Sequence, residues 1–81
     1  MKVEVRVYPK EGVLDPQGRA IAAALGRLGH GGVQDVRAGK VFFLEVDGND
    51  PKKAESEARK MAEELLANTV IEGYDVRVVT P

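Results

Sequence analysis

The sequence predicts an α+β fold whose elements run βαββαβ, and three features of the chain carry that expectation. Valines alternate with charged residues at the start, and apolar runs recur in the middle and at the end, as in strands with one buried face. Two stretches of helical periodicity each open on an Asp-Pro pair, Asp15-Pro16 and Asp50-Pro51. Clusters of glycine, asparagine and aspartate separate these segments. The order is that of the ferredoxin-like split βαβ arrangement, a four-stranded antiparallel sheet with two helices on one face. The other face of such a sheet is left open.

Val3, Val5 and Val7 form the buried side of the first strand, which Pro9-Lys10-Glu11-Gly12 breaks. Asp15 caps the first helix, and Pro16 sits where the helix needs no N–H. Ile21, Ala24, Leu25 and Leu28 share one apolar arc of that helix. Gly18, Ala22 and Gly26 form a stripe of small residues beside it. Interior glycine costs about 1 kcal/mol relative to alanine, so the stripe suggests close approach to another element. Gly29-His30-Gly31-Gly32 ends the helix.

Val33–Ala38 and Val41–Val46 read as two strands, and Gly39-Lys40 between them reads as a tight hairpin. The second helix carries Ala54, Ala58, Met61, Ala62, Leu65 and Leu66 on one side, with Asn68 suited to a left-handed cap. A last strand runs from about Tyr74 to Val79. Whichever side of the third strand faces the helices, one phenylalanine and one aliphatic residue remain on the open face, and Tyr8 can join them. That surplus apolar surface predicts self-association.

Eighty-one residues make a single domain, 1–81, with room for one core and no large private active site. A formal net charge of −1 offers no drive toward nucleic acid or anionic membranes. Cysteine is absent, which excludes disulfides, thiolate metal sites and thiol nucleophiles. No apolar run approaches the roughly 20 residues that span a bilayer, and the N-terminus does not resemble a signal peptide. The expected location is the cytoplasm.

Ser56 is the only serine and His30 the only histidine, so neither a Ser–His pair nor a histidine metal cluster can be assembled. The glycines around His30 follow a helix instead of opening one and lack the lysine and hydroxyl of a phosphate loop. The adjacent Phe42 and Phe43 point to opposite faces, unlike the spaced aromatics of an RNA-recognition motif. A small-molecule sensor of the ACT type shares the topology, and Gly12 to Gly18 could form its effector loop.

Three stretches carry a more specific signal: Gly12-Val13-Leu14-Asp15-Pro16-Gln17-Gly18, Val36-Arg37-Ala38-Gly39-Lys40, and Leu65-Leu66-Ala67-Asn68-Thr69-Val70-Ile71-Glu72-Gly73-Tyr74. Together, in this order and spacing, they resemble the PurS family, the small subunit of phosphoribosylformylglycinamidine (FGAM) synthase. Thr69 departs from the proline usual after the asparagine of the third motif. The resemblance implies a subunit of a purine-biosynthesis ligase with no catalytic residue, cofactor or metal of its own. The complex would use ATP, magnesium and glutamine. The implied partners are a large synthetase subunit, a glutaminase subunit and further copies of this chain, as a dimer or a dimer of dimers. Assistance to ammonia transfer is a further implied role. Interface candidates within or beside the motifs are Leu14, Asp15, Pro16 and Gly18 in the first, and Arg37, Lys40 and Phe43 around the expected hairpin. Asn68, Val70, Ile71 and Glu72 complete the set at the second helix-to-strand corner.

Overall fold

A computed structural model describes residues 1–79. Strand β1 (Lys2–Pro9) lies at the centre of the sheet, between β2 (Lys40–Glu45) and β3 (Glu72–Val79). Both pairings are antiparallel, with Val5 opposite Phe42 on one side and Val76 on the other. The valine alternation does what it predicts: Val3, Val5 and Val7 are buried, and Lys2, Arg6 and Tyr8 point outward.

Helix α2 (Pro51–Met61) covers the valine face over β1 and β3. Asp50 caps it by accepting from the Lys52 N–H at 3.0 Å. Ala54, Ala58 and Ala62 recur every fourth residue on its buried side, and small side chains there let the helix approach the sheet closely. With the three valines and Ala67 they form the core, against which Phe42, Leu44, Val46, Leu66, Val76 and Val78 pack from its margin. The helix continues into a wider π turn over Ala62–Leu66, closed by the Ala67 N–H donating to the Ala62 carbonyl at 2.9 Å. Asn68 is not a left-handed cap, since among the described residues only glycines have positive φ. Its side chain instead accepts from the Val70 N–H at 3.2 Å and shapes the turn into β3.

Two expectations fail here. Among the described residues the sheet has three strands and not four, and the ferredoxin-like α+β plan holds only broadly. Val33–Ala38 forms no strand, and Gly39-Lys40 makes no hairpin. The reason lies in the register with β1. Lys40 pairs with Val7. Gly39 then lies so close to β1 that an added Cβ would sit 2.6 Å from the Val7 carbonyl oxygen. Two residues back, the Arg37 guanidinium donates to the Lys10 carbonyl. The chain therefore runs straight on alongside residues 8 to 10 instead of folding back on β2. Among the described residues the outer edge of β2, where a fourth strand would lie, has no strand beside it.

Helix α1 (Pro16–Arg27) is the second departure. It does not share the sheet face with α2 but projects with residues 33 to 38, and its one buried residue is Gly18. Gly18 lies against the Val36 carbonyl, where an added Cβ would collide with backbone. The small-residue stripe thus makes its close approach at one end only, since a Cβ on Gly26 would meet open space. The shape records this projecting arm. The Cα radius of gyration is 15.9 Å, against roughly 12 Å for a compact globule of this length.

Candidate functional site

Three separate stretches of the chain converge where β1 ends, and Lys10 joins them. Its backbone N–H donates to the Ile71 carbonyl at 2.9 Å, and its ammonium donates to the Thr69 carbonyl at 2.6 Å. Its own carbonyl accepts from the Val13 N–H at 3.1 Å and from Arg37. Gly12, at φ 84°, supplies the left-handed turn that returns the chain so that Val13 reaches that carbonyl.

Asp15 closes the other side of the junction. One carboxylate oxygen caps α1 by accepting from the Gly18 N–H at 3.1 Å, and the other accepts from the Ala38 N–H at 2.7 Å. The Ala38 N–H, followed by those of Gly18 and Gln17 and by the nearby Arg37 charge, holds the Asp15 carboxyl below its ordinary pKa. Between the Gly12–Asp15 loop and residues 35 to 37 lies an open groove of about 390 Å³, lined by Leu14, Arg19, Asp35 and Arg37 among others. Its charges are mixed.

Leu14, Asp15, Pro16, Gly18 and Arg37 thus belong to one junction. Asn68, Val70, Ile71 and Glu72 form the corner tied to it through Lys10. In that corner the Glu72 carboxylate accepts from the Asn68 N–H at 2.7 Å, and the Glu72 N–H donates to the Asn68 carbonyl at the same distance. Leu14 is 65% exposed and Val70 81%, so this corner presents apolar side chains outward from a rigidly bonded backbone.

Lys40 and Phe43 lie elsewhere. Lys40 does not frame a hairpin tip with Arg37; its ammonium sits 5.6 Å from the centroid of the Phe42 ring. Phe43 stands opposite Glu4 on the open sheet face and is 77% exposed, with Val41 beside it on the same strand face. That half of the open-face expectation holds. Arg6–Asp75 at 2.9 Å and Arg77–Glu4 at 3.6 Å surround them, so the face is charged with an apolar island. Sequence reasoning missed Lys10. The signal available was its position between a strand-ending proline and a turn glycine, where backbone groups leave the ladder and need partners.

Among the described residues no group of three or more acidic or histidine side chains is placed to hold a metal ion. Among the described residues no helix is long and apolar enough to cross a membrane. A small α+β fold with a rigid junction and outward apolar side chains defines the class: a protein whose surfaces serve binding to other chains.

The comparisons name the family. The sequence model for phosphoribosylformylglycinamidine (FGAM) synthase, PurS, matches residues 2–80, and the chain belongs to the PurS family. It is 54% identical over 72 residues to the PurS subunit of Mycobacterium leprae, covering 89% of this chain and 87% of that one. The crystal structure of Methanocaldococcus jannaschii PurS superposes with a TM-score of 0.87 at 36% identity, covering 99% of this chain and 96% of that one. The corresponding chain in the structure of PurLQS from Thermotoga maritima gives a TM-score of 0.85 at 36% identity, covering 96% and 95%. Membership makes this chain a subunit of FGAM synthase, a ligase of purine biosynthesis.

Proposed function

We propose that this chain is the assembly subunit of its FGAM synthase, bridging the large synthetase subunit and the glutaminase subunit as a homodimer or a dimer of dimers. The observation that carries this reading is the convergence of all three family motifs on the Lys10 junction, which shows no nucleophile–base pair yet presents Leu14, Val70 and Ile71 outward. A three-subunit assembly is what the Thermotoga maritima structure is named for. In this reading the partners take ATP, magnesium and glutamine, ammonia passes between them within the assembly, and the complex works in the cytoplasm.

Size-exclusion chromatography with light scattering tests it, on this protein mixed with the synthetase and glutaminase of the same source in the presence of glutamine, ATP and magnesium-ADP. A ternary complex whose glutamine-dependent activity needs this chain is the expected result. Absence of a complex, with activity indifferent to this chain, overturns the reading.

A further inference from the structure

Where β1 ends, the open face of the sheet carries a groove of about 300 Å³, lined by Arg6, Tyr8, Arg37, Lys40 and Val41 among others. Every charged side chain that lines it is a cation, in a chain whose formal net charge is −1. The groove beside the Gly12–Asp15 loop and a third one beside α2 instead mix carboxylates with cations. Both guanidiniums are held in advance: Arg6 donates to Asp75 at 2.9 Å, and Arg37 donates to the Lys10 carbonyl. Each contact uses one nitrogen of a group that carries several N–H donors, so donors remain for a second acceptor. Holding the side chains beforehand lowers the ordering cost of binding. Asp75 offsets the charge of Arg6, but among the described residues neither Arg37 nor Lys40 forms an ion pair. Lys40 stands on the other side of β2, opposite the buried Val7, and adds its charge from the rim.

The groove runs into apolar surface. Val41 stands opposite Arg6 and Phe43 opposite Glu4, so both share the open face with Arg6. Both are exposed, and they follow one another at roughly 7 Å along β2. Beyond Phe43 the strip ends at Glu4 and Glu45, whose neighbours Arg77 and Lys2 balance their charge. Cations, then apolar side chains, then a neutral end give the strip a direction. A free oxyanion would use the guanidiniums and leave Val41 and Phe43 bare. A second copy laid antiparallel on the strip would bring the guanidiniums to an end with no net negative charge.

We propose that this strip docks an acidic segment of another FGAM synthase subunit, with a carboxylate between Arg6 and Arg37 and an adjoining apolar side chain on Val41 and Phe43. A carboxylate matches the planar fork of a guanidinium, a recognition that lysine does not reproduce. The inference rests on the assembly role proposed above and gives the chemistry of one contact within it. That contact is separate from the outward Leu14 and Val70 of the Lys10 junction.

Calorimetric titration of this chain with the synthetase and with the glutaminase of the same source, at low and high salt, tests the contact. Three variants are compared with the wild type: Arg6→Gln, Phe43→Thr and, as a control, Lys52→Gln, which makes the same charge change at the exposed start of α2. The expected result is a wild-type affinity for one subunit that falls with salt. Arg6→Gln lowers that affinity by roughly tenfold and flattens its salt dependence. Phe43→Thr lowers it by a similar factor, and Lys52→Gln leaves it unchanged. A loss in Arg6→Gln alone overturns the segment, since a free oxyanion needs only the guanidiniums, and a loss in Phe43→Thr alone overturns the carboxylate. An equal loss in Lys52→Gln overturns the site as a general effect of charge. Light scattering on each variant by itself adds one more outcome: loss of self-association overturns the proposal and assigns the strip to contact between copies. Where circular dichroism shows that a variant has lost its fold, Arg6→Lys and Phe43→Val give the same readout. Wild-type affinity in both strip variants overturns this contact and leaves the assembly role standing, whereas a wild type that binds neither subunit overturns both.

Discussion

Asp15 and Ala38, 23 positions apart, are joined by a 2.7 Å hydrogen bond from the Ala38 N–H to the Asp15 carboxylate. The same carboxylate caps α1 through the Gly18 N–H. One side chain therefore sets both the start of the helix and the direction of the segment that enters β2. A backbone donor satisfied in this way cannot also serve a hairpin, which is one reason the expected fourth strand is missing.

Asp15→Asn is expected to lower the melting temperature at neutral pH, because the amide replaces one acceptor with a donor that faces the Ala38 N–H. The pH dependence has a definite sign. The folded-state pKa of Asp15 is lowered, so its contribution is present above the unfolded value of about 3.9 and is lost as pH falls through the folded value. The gap in Tm between wild type and variant is therefore constant near neutrality and closes in acid below about pH 4. A gap independent of pH down to full acid unfolding would count against this role.

The two helix glycines separate by sign. Gly18→Ala places a methyl group on the Val36 carbonyl and is destabilising despite the better helix propensity of alanine. Gly26→Ala meets no atom within 4 Å and gains up to about 1 kcal/mol. Urea denaturation of both variants decides it, and equal shifts in the same direction would contradict the close approach at Gly18.

Val5 is fully buried between Phe42 and Val76. Val5→Ala removes a fully enclosed part of the core and should cost roughly 1.5–3 kcal/mol. A domain of this size loses about 4–8 °C in Tm per kcal/mol. A loss below about 2 °C in calorimetry would mean that the sheet and α2 close over the gap.

Tyr74 donates its hydroxyl to the Glu63 carboxylate at 2.8 Å. That bond, with burial and the Glu63 charge added, raises the pKa of the phenol above its ordinary value. Because the folded pKa is raised, the stabilisation is present below the unfolded value of about 10 and is lost as pH rises through the folded one. Ultraviolet titration of Glu63→Gln should show the Tyr74 transition moving down toward the ordinary range. An unchanged curve would remove Glu63 as the cause.

Leu14→Asp with Val70→Asp alters two exposed side chains of the Lys10 junction and leaves every hydrogen bond there in place. The variant should fold with an unchanged Tm and lose at least tenfold in affinity for its partner subunits, about 1.4 kcal/mol. Unchanged co-elution with both partners would place the contact elsewhere.

Much of this was legible in the residues. Alternating Val3, Val5 and Val7 can bury only one face of a strand, and the two Asp-Pro pairs can start helices almost anywhere they occur. The motifs around Leu14, Arg37 and Asn68 carried the family. These are local properties, determined within a few residues by periodicity, caps and turn chemistry. What the chain did not disclose is how far each element travels. Val33–Ala38 has the composition of a strand, and its fate depends on whether the backbone at Gly39 turns or continues beside Tyr8. That choice is made by partners distant in sequence: the Asp15 carboxylate, the Lys10 carbonyl and the Val7 oxygen. The same long-range contacts hold α1 off the sheet and turn Lys10, an unremarked residue in a strand-ending turn, into the joint of three motifs. Sequence alone determined three of the four expected strands, both helix starts and the family; tertiary structure decided that the sheet stops at three strands and that α1 projects, because hydrogen bonds between remote groups carry no local pattern.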